Sequence, residues 1–151
     1  MKKIRLHVFL LIVSFWQNTH AQDIASVNDS MREYIFQNPQ KALEFGFKAI
    51  ENSDFNNLSW ELFDTNYLIG QTLFYLNFEK ESFDYLIQAL SIFEKLPKEK
   101  RLYKQINKPP WILVAIGNGF YNAKQYNKAQ AYYIEAIENF NLYETTFEKD
   151  K

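Results

Sequence analysis

The 151-residue chain contains no cysteine, four glycines, four prolines and two histidines. Each scarcity removes a class of chemistry. Without cysteine there is no disulfide framework, so stability must come from packing. Both histidines, His7 and His20, lie in the first 21 residues, a segment read below as removable. The remaining chain, 22–151, then has neither His nor Cys. Zinc sites rely on those two residue types. Cys–His and Ser–His–Asp nucleophilic arrangements need an imidazole. No GxxxxGK[ST] phosphate loop is present. The "GNG" at 117–119 lacks the third glycine of a dinucleotide fingerprint and follows no strand pattern. No catalytic residue, metal or cofactor is therefore expected. A carboxylate pair of the glycosidase kind would have to come from Glu61, Asp64, Glu79, Glu81, Asp84, Glu135 and Glu138. These are scattered at helix-surface spacing, most beside a Lys or polar neighbour, and read as a solvated face.

What is present begins with a targeting pattern. Lys2, Lys3 and Arg5 precede an apolar run from Leu6 to Trp16, and "THAQ" provides a small-residue exit with Thr19 and Ala21. Basic start, apolar core and small-residue cut ahead of Gln22 are the order of a secretory signal peptide. The run is shorter than the roughly 20 residues a membrane span needs. The expectation is export to the periplasm or medium, with membrane contact only if the segment stays uncleaved. Its loss leaves 14 basic and 18 acidic side chains, a formal charge of −4. A weakly acidic product is poorly suited to nucleic acid. The 130 residues from 22 onward suffice for one domain with a sizeable core.

Apolar residues recur at helical spacing throughout. Ile112, Ala115, Ile116, Gly119 and Phe120 make one face; Ala129, Tyr132, Tyr133, Ala136, Ile137 and Phe140 make another. Each proline sits where a break is useful, and Pro109 and Pro110 suit the first turn of a helix. The pattern predicts an all-α chain with helices near 24–37, 39–52, 58–76, 80–96, 110–122 and 126–142, and a helical turn within 98–106. Tight joints at Asn38, 77–79 and 123–125 pair these helices into three hairpins of about 24–52, 58–96 and 110–142. Residues 144–151 read as a charged tail or the start of a further helix.

The hairpins share a spacing. From Ser30, Gly70 and Gly117, twelve residues on lie Ala42, Ser82 and Ala129, and seven further lie Ala49, Ala89 and Ala136. The aromatics Tyr34, Phe74 and Tyr121, then Phe45, Tyr85 and Tyr132, hold a common place beside them, as do Ile50, Leu90 and Ile137. Small residues let paired helices approach; large aromatics fill the wedge between hairpins, which must stack to bury their apolar faces. At this point the chain resembles the tetratricopeptide repeat family. "AIGNGFYNAKQYNKAQAYYIEAI" is the closest match, "LIGQTLFYLNFEKESFDYLIQAL" the second and "DSMREYIFQNPQKALEFGFKAI" a degenerate first. The family's tryptophan is absent, with Ser26, Asn66 and Leu113 in its places. The repeats are spaced by 40 and 47 residues, against a typical ~34. The signal and first hairpin look like the start of exported repeat proteins of the Bacteroidetes.

The resemblance implies a right-handed α-hairpin solenoid that binds a protein or peptide in a concave groove lined by the first helix of each pair. By the family's register the groove presents Asp64, Tyr67, Gln71, Phe74 and Tyr75, then Trp111, Val114, Asn118, Tyr121 and Asn122. Amide side chains can donate to and accept from a peptide backbone, and Tyr and Trp give large amphipathic contact area. Phe74 and Tyr121 also suit an inter-hairpin core, and Asn118 and Asn122 a solvated surface. A cationic clamp for carboxylates is not expected, because Tyr67, Gln71, Val114 and Asn118 hold its places. The expected function is a non-enzymatic exported scaffold; the alternative is the sensor portion of a longer signalling or transcription regulator. A solenoid edge bearing exposed aromatics leaves homodimerisation open.

Overall fold

The computed structural model describes residues 23–54, 57–102, 104 and 106–147. The signal segment 1–21, its cut ahead of Gln22 and residues 148–151 lie outside the described residues. Among those described there are six α-helices and no strand. They are α1 (Ile24–Tyr34), α2 (Pro39–Glu51), α3 (Trp60–Tyr75), α4 (Glu79–Lys95), α5 (Pro110–Asn122) and α6 (Tyr126–Phe147), with a short 3-10 turn at Lys98–Lys100. None of these helices is long and apolar enough to cross a membrane. The last helix continues past 142 to Phe147, so residues 144–147 extend α6 rather than leave it.

Local chemistry sets most of the boundaries. Asn38 caps α2, its Oδ1 accepting the Lys41 N–H at 3.2 Å, with Pro39 in the first turn where a missing N–H costs nothing. Ser59 caps α3 in the same way through Leu62 N–H. The expected tight joints end α3 and α5 with Asn77 and Lys124 in the left-handed region, at φ 64° and 60°. At both ends a six-to-one hydrogen bond closes the turn, from Phe78 N–H to Leu73 O (2.9 Å) and from Gln125 N–H to Phe120 O (2.8 Å). That pairing satisfies helix-end carbonyls and reverses the chain. Pro110 opens α5, preceded by Pro109 in an extended conformation.

Helices pack in sequence, α1 on α2, α3 on α4 and α5 on α6, and each pair leans on the next through α2–α3, α1–α3 and α4–α5 contacts. Small residues stand at the close approaches. A Cβ added to Gly70 would lie 2.9 Å from Leu86 and 3.2 Å from the Ser82 carbonyl. Ser82 answers with its hydroxyl, which donates to Gly70 O at 2.7 Å. A Cβ at Gly117 would lie 2.5 Å from the Tyr133 ring. Ala42, Ala49, Ala89, Ala129 and Ala136 are all buried.

The expectations for Ser30 and for Ile137 and Phe140 need correction. Ser30 is only half-buried and its hydroxyl turns back to Ser26 O at 3.0 Å. The close approach of the first pair is made by Gly46 instead, where a Cβ would meet Ile69 and Met31 at 2.7 Å. On α6, Ile137 and Phe140 face outward. The buried place nearby belongs to Asn139, whose Oδ1 accepts from Lys108 N–H (3.0 Å) and whose Nδ2 donates to Glu135 O (2.9 Å). Two apolar clusters result. One joins α1, α2 and α3 around Met31, Ala42 and Ile69; the other joins α3 to α6 around Phe63, Phe93 and Ile116.

Candidate functional site

On α3, residues 67, 71, 74 and 75 fall at i, i+4, i+7 and i+8, which is one helix face. On α5, residues 111, 114, 115 and 118 fall at i, i+3, i+4 and i+7, again one face. The fold sets these two faces toward a common groove of about 500 Å³. Its walls are Tyr67, Gln71, Phe74 and Tyr75 on α3 and Trp111, Val114, Ala115 and Asn118 on α5. Leu86 of α4, and Ile35, Phe36 and Asn77 from the joints, complete the lining. The volume falls in the ~300–1,000 Å³ range of ligand pockets. No lining residue carries a formal charge, and five are aromatic.

The polar groups in the groove are already oriented. Gln71 Nε2 donates to the Tyr67 hydroxyl at 2.6 Å, which leaves the phenolic O–H and Gln71 Oε1 as a donor and acceptor for a ligand. Tyr133 O–H donates to Asn118 Oδ1 at 2.8 Å, so the Asn118 amide presents its N–H donors. Burial, with the negative charge of Asp64 adding to it, pushes the Tyr67 phenol up to about 12. It therefore stays a protonated donor at any physiological pH. At the mouth, Phe36 meets Tyr75 edge-on, with ring centres 5.7 Å apart.

A second, shallower depression shares Tyr67 and Trp111 with the groove and adds Arg32, Trp60, Asp64 and Leu102. Asp64 was expected as a free groove residue. It is buried, and its Oδ2 accepts from Arg32 Nη2 (2.5 Å) and Asn28 Nδ2 (3.0 Å). Burial raises its pKa above the ordinary carboxylate value, against the opposing pull of the Arg32 guanidinium. Asn28 in turn donates to Glu61 O and accepts from Thr65 O–H at 2.7 Å. Asp64 thus ties α1 to α3 and is not among the residues that line the groove.

Two other expected residues lie elsewhere. Tyr121 packs edge-on against Tyr126, with ring centres at 5.4 Å, on the outer side of α6. Asn122 donates through Nδ2 to Glu79 Oε1 at 3.1 Å, across the α4–α5 contact. The cause is the register itself. Phe74 and Tyr75 end α3 facing the hairpin that follows, whereas no described helix follows α5–α6. Tyr67, Gln71, Phe74, Tyr75, Trp111, Val114 and Asn118 are brought together. Phe36, Asn77, Leu86 and Ala115 were not foreseen. Phe36 carried a signal: a large aromatic just before Asn38-Pro39, in a turn too tight to bury it.

The fold and groove together define an all-helical chain of stacked helix pairs with an uncharged, aromatic-lined cleft between its second and third pairs. No protein-family model matches the sequence, and no curated protein matches it either.

Proposed function

We propose that the chain is a tetratricopeptide-like, non-enzymatic scaffold, exported through its N-terminal segment, that binds an uncharged, aromatic-containing stretch of a protein partner in the α3–α5 groove. The observation that carries this reading is the composition of the cleft: five aromatic rings and three amide side chains, with no formal charge. Aromatic walls bind through burial of apolar area, and a partner's Phe, Tyr, Leu or Met side chain would be stabilised by about 1.5–3 kcal/mol on full burial. The Tyr67 hydroxyl, Gln71 Oε1 and Asn118 Nδ2 offer the donors and acceptors that a peptide backbone can pair with. A charged segment is disfavoured, because no lining group would repay its desolvation.

A peptide array varying charge and aromatic content, probed with the purified protein, tests this. Binding should concentrate on uncharged aromatic segments and change little with ionic strength, since no exposed ion pair carries it. Gln71→Ala and Tyr75→Ala, both at exposed positions, should weaken it about tenfold while leaving the helical spectrum intact. No saturable binding, or binding indifferent to both substitutions, overturns the proposal.

A further inference from the structure

The two walls of the groove carry amide side chains at one shared place in their hairpins: Gln71 and Asn118 stand 47 residues apart, the spacing of the second and third repeats. Each is held by a tyrosine hydroxyl, in opposite senses. Gln71 Nε2 donates to the Tyr67 oxygen at 2.6 Å, one turn earlier on the same helix. Asn118 Oδ1 accepts from the Tyr133 hydroxyl at 2.8 Å, which comes from the neighbouring helix α6. The hairpins exchange these supports. Tyr67 is matched by Val114 and Tyr133 by Leu86, again 47 residues apart, and neither Val114 nor Leu86 has a hydroxyl. Gly117 admits the Tyr133 ring, since a Cβ there would lie 2.5 Å from it. A side-chain amide offers both donors and an acceptor, and each tyrosine occupies one kind. Gln71 keeps its acceptor for a ligand and Asn118 keeps its donors. The Tyr67 O–H remains a donor, one turn nearer the start of α3.

We propose, on the peptide-binding reading of the groove, that these groups make it directional: an extended peptide lies along α3 with its chain running opposite to the helix. Its N-terminal end lies by Phe36 and Tyr75, and its C-terminal end by Tyr67 and Trp111, where the shallower depression with Trp60 begins. In an extended chain the N–H and C=O of one residue point to the same side, and those of the next residue to the other side. Within a residue the N–H comes before the C=O. Gln71 Oε1 takes the N–H, and the Tyr67 O–H, nearer the start of α3, takes the C=O of the same residue. Asn118 Nδ2, on the opposite wall, takes the C=O of an adjacent residue. A reversed chain sets its carbonyl against Gln71 Oε1, two acceptors with no proton between them, and forfeits that hydrogen bond. Tyr133 does not line the groove. It is a positioning residue, which keeps Asn118 a donor.

Paramagnetic broadening of side-chain signals tests the direction. The probe is an end-capped pentapeptide alternating serine and phenylalanine, with a nitroxide attached at one end or the other. A label at the N-terminal end should broaden Phe36 and Tyr75; a label at the C-terminal end should broaden Trp60 and Trp111. The reverse pattern, or one pattern from both labels, overturns the directional proposal while the peptide still binds. No saturable shift with the unlabelled peptide overturns the groove reading itself, and the direction with it. Asn118→Asp still accepts from Tyr133 but has no N–H to give, and should weaken binding about tenfold. Tyr133→Phe keeps a ring beside Gly117 and frees the Asn118 amide to turn. In that background the penalty of Asn118→Asp should shrink to about threefold, with helicity unchanged. Equal penalties in the two backgrounds overturn the positioning role of Tyr133.

Discussion

The first and second helix pairs meet through polar groups set in an apolar surround; the second and third meet through a core of rings and branched aliphatics with polar links at its edge. At the first junction Asn28 bridges Glu61 O, Asp64 and Thr65, and Arg32 reaches Asp64 from outside. At the second, Phe83 of α4 meets Phe120 of α5 edge-on at 5.0 Å, and Ile112, Leu113 and Ile116 of α5 join the cluster in which Phe63 and Phe93 of the second pair pack with ring centres 5.4 Å apart. Lys108 adds an exposed link there, reaching Glu94 of α4 at 3.6 Å and Glu135 of α6 at 2.7 Å. The two junctions use the same arrangement of helices with different chemistry. Apolar burial is non-directional and scales with area. Buried hydrogen bonds add little net stability when made, yet cost much when one partner is lost. The second junction should therefore supply bulk stability, and the first should set which arrangement of α1 is allowed.

The largest effect expected from breaking this contrast is at Phe93. Phe93→Ala empties a fully buried site in the cluster shared by the second and third pairs and should cost about 3–5 kcal/mol. A urea midpoint lowered across the whole chain, by every probe alike, is the expected outcome. A loss confined to α5 and α6 would mean the two junctions unfold separately.

Next in size is Asn28→Ala at the first junction. It removes one partner each from the Asp64 carboxylate, the Thr65 hydroxyl and the Glu61 carbonyl, which keep only Arg32 and one another, and should cost about 1–3 kcal/mol. Hydrogen exchange should show α1 losing protection while α5 keeps it. Equal losses in both helices would erase the distinction between the junctions.

The smallest effect is a pH trend at Asp64. Its folded pKa lies above the unfolded value because burial outweighs the attraction of Arg32. Such a group contributes stability that is full below the unfolded pKa and is lost as pH rises through the folded pKa. Asp64→Asn is neutral throughout and has no such loss. The stability of the native chain minus that of Asp64→Asn should therefore fall as pH rises through that window. A difference that grows with pH would mean the guanidinium wins over burial. Among the described residues the second junction has no buried carboxylate, and it should show no matching trend.

Legibility from sequence followed the same division. Helix positions and joints were readable because capping and turn chemistry are local: Asn38-Pro39, Ser59 and the 77–79 joint act within one turn of the chain. Tyr67, Gln71, Trp111 and Asn118 follow from the register that the family resemblance implies; helical spacing puts 67 and 71 on one face of α3 and 111 and 118 on one face of α5, and all four line the groove. Asp64 has the right spacing for that face, but Asn28 and Arg32, more than 30 residues away, draw it inward. Gly46 could not be distinguished from an ordinary tolerated glycine until Ile69 and Met31 were seen against it.

The sequence by itself determined six helices, their pairing and the aromatic character of the groove-lining faces. These depend on interactions within a few residues, or on composition that no folding can change. Tertiary structure alone decided which members of each face meet. It buried Asp64 and left Ile137 and Phe140 bare, although by spacing Ile137 and Phe140 match the buried Leu90 and Phe93. The physical reason is that burial belongs to a neighbour as much as to a residue: the same apolar stripe is core where a helix lies over it and surface where none does.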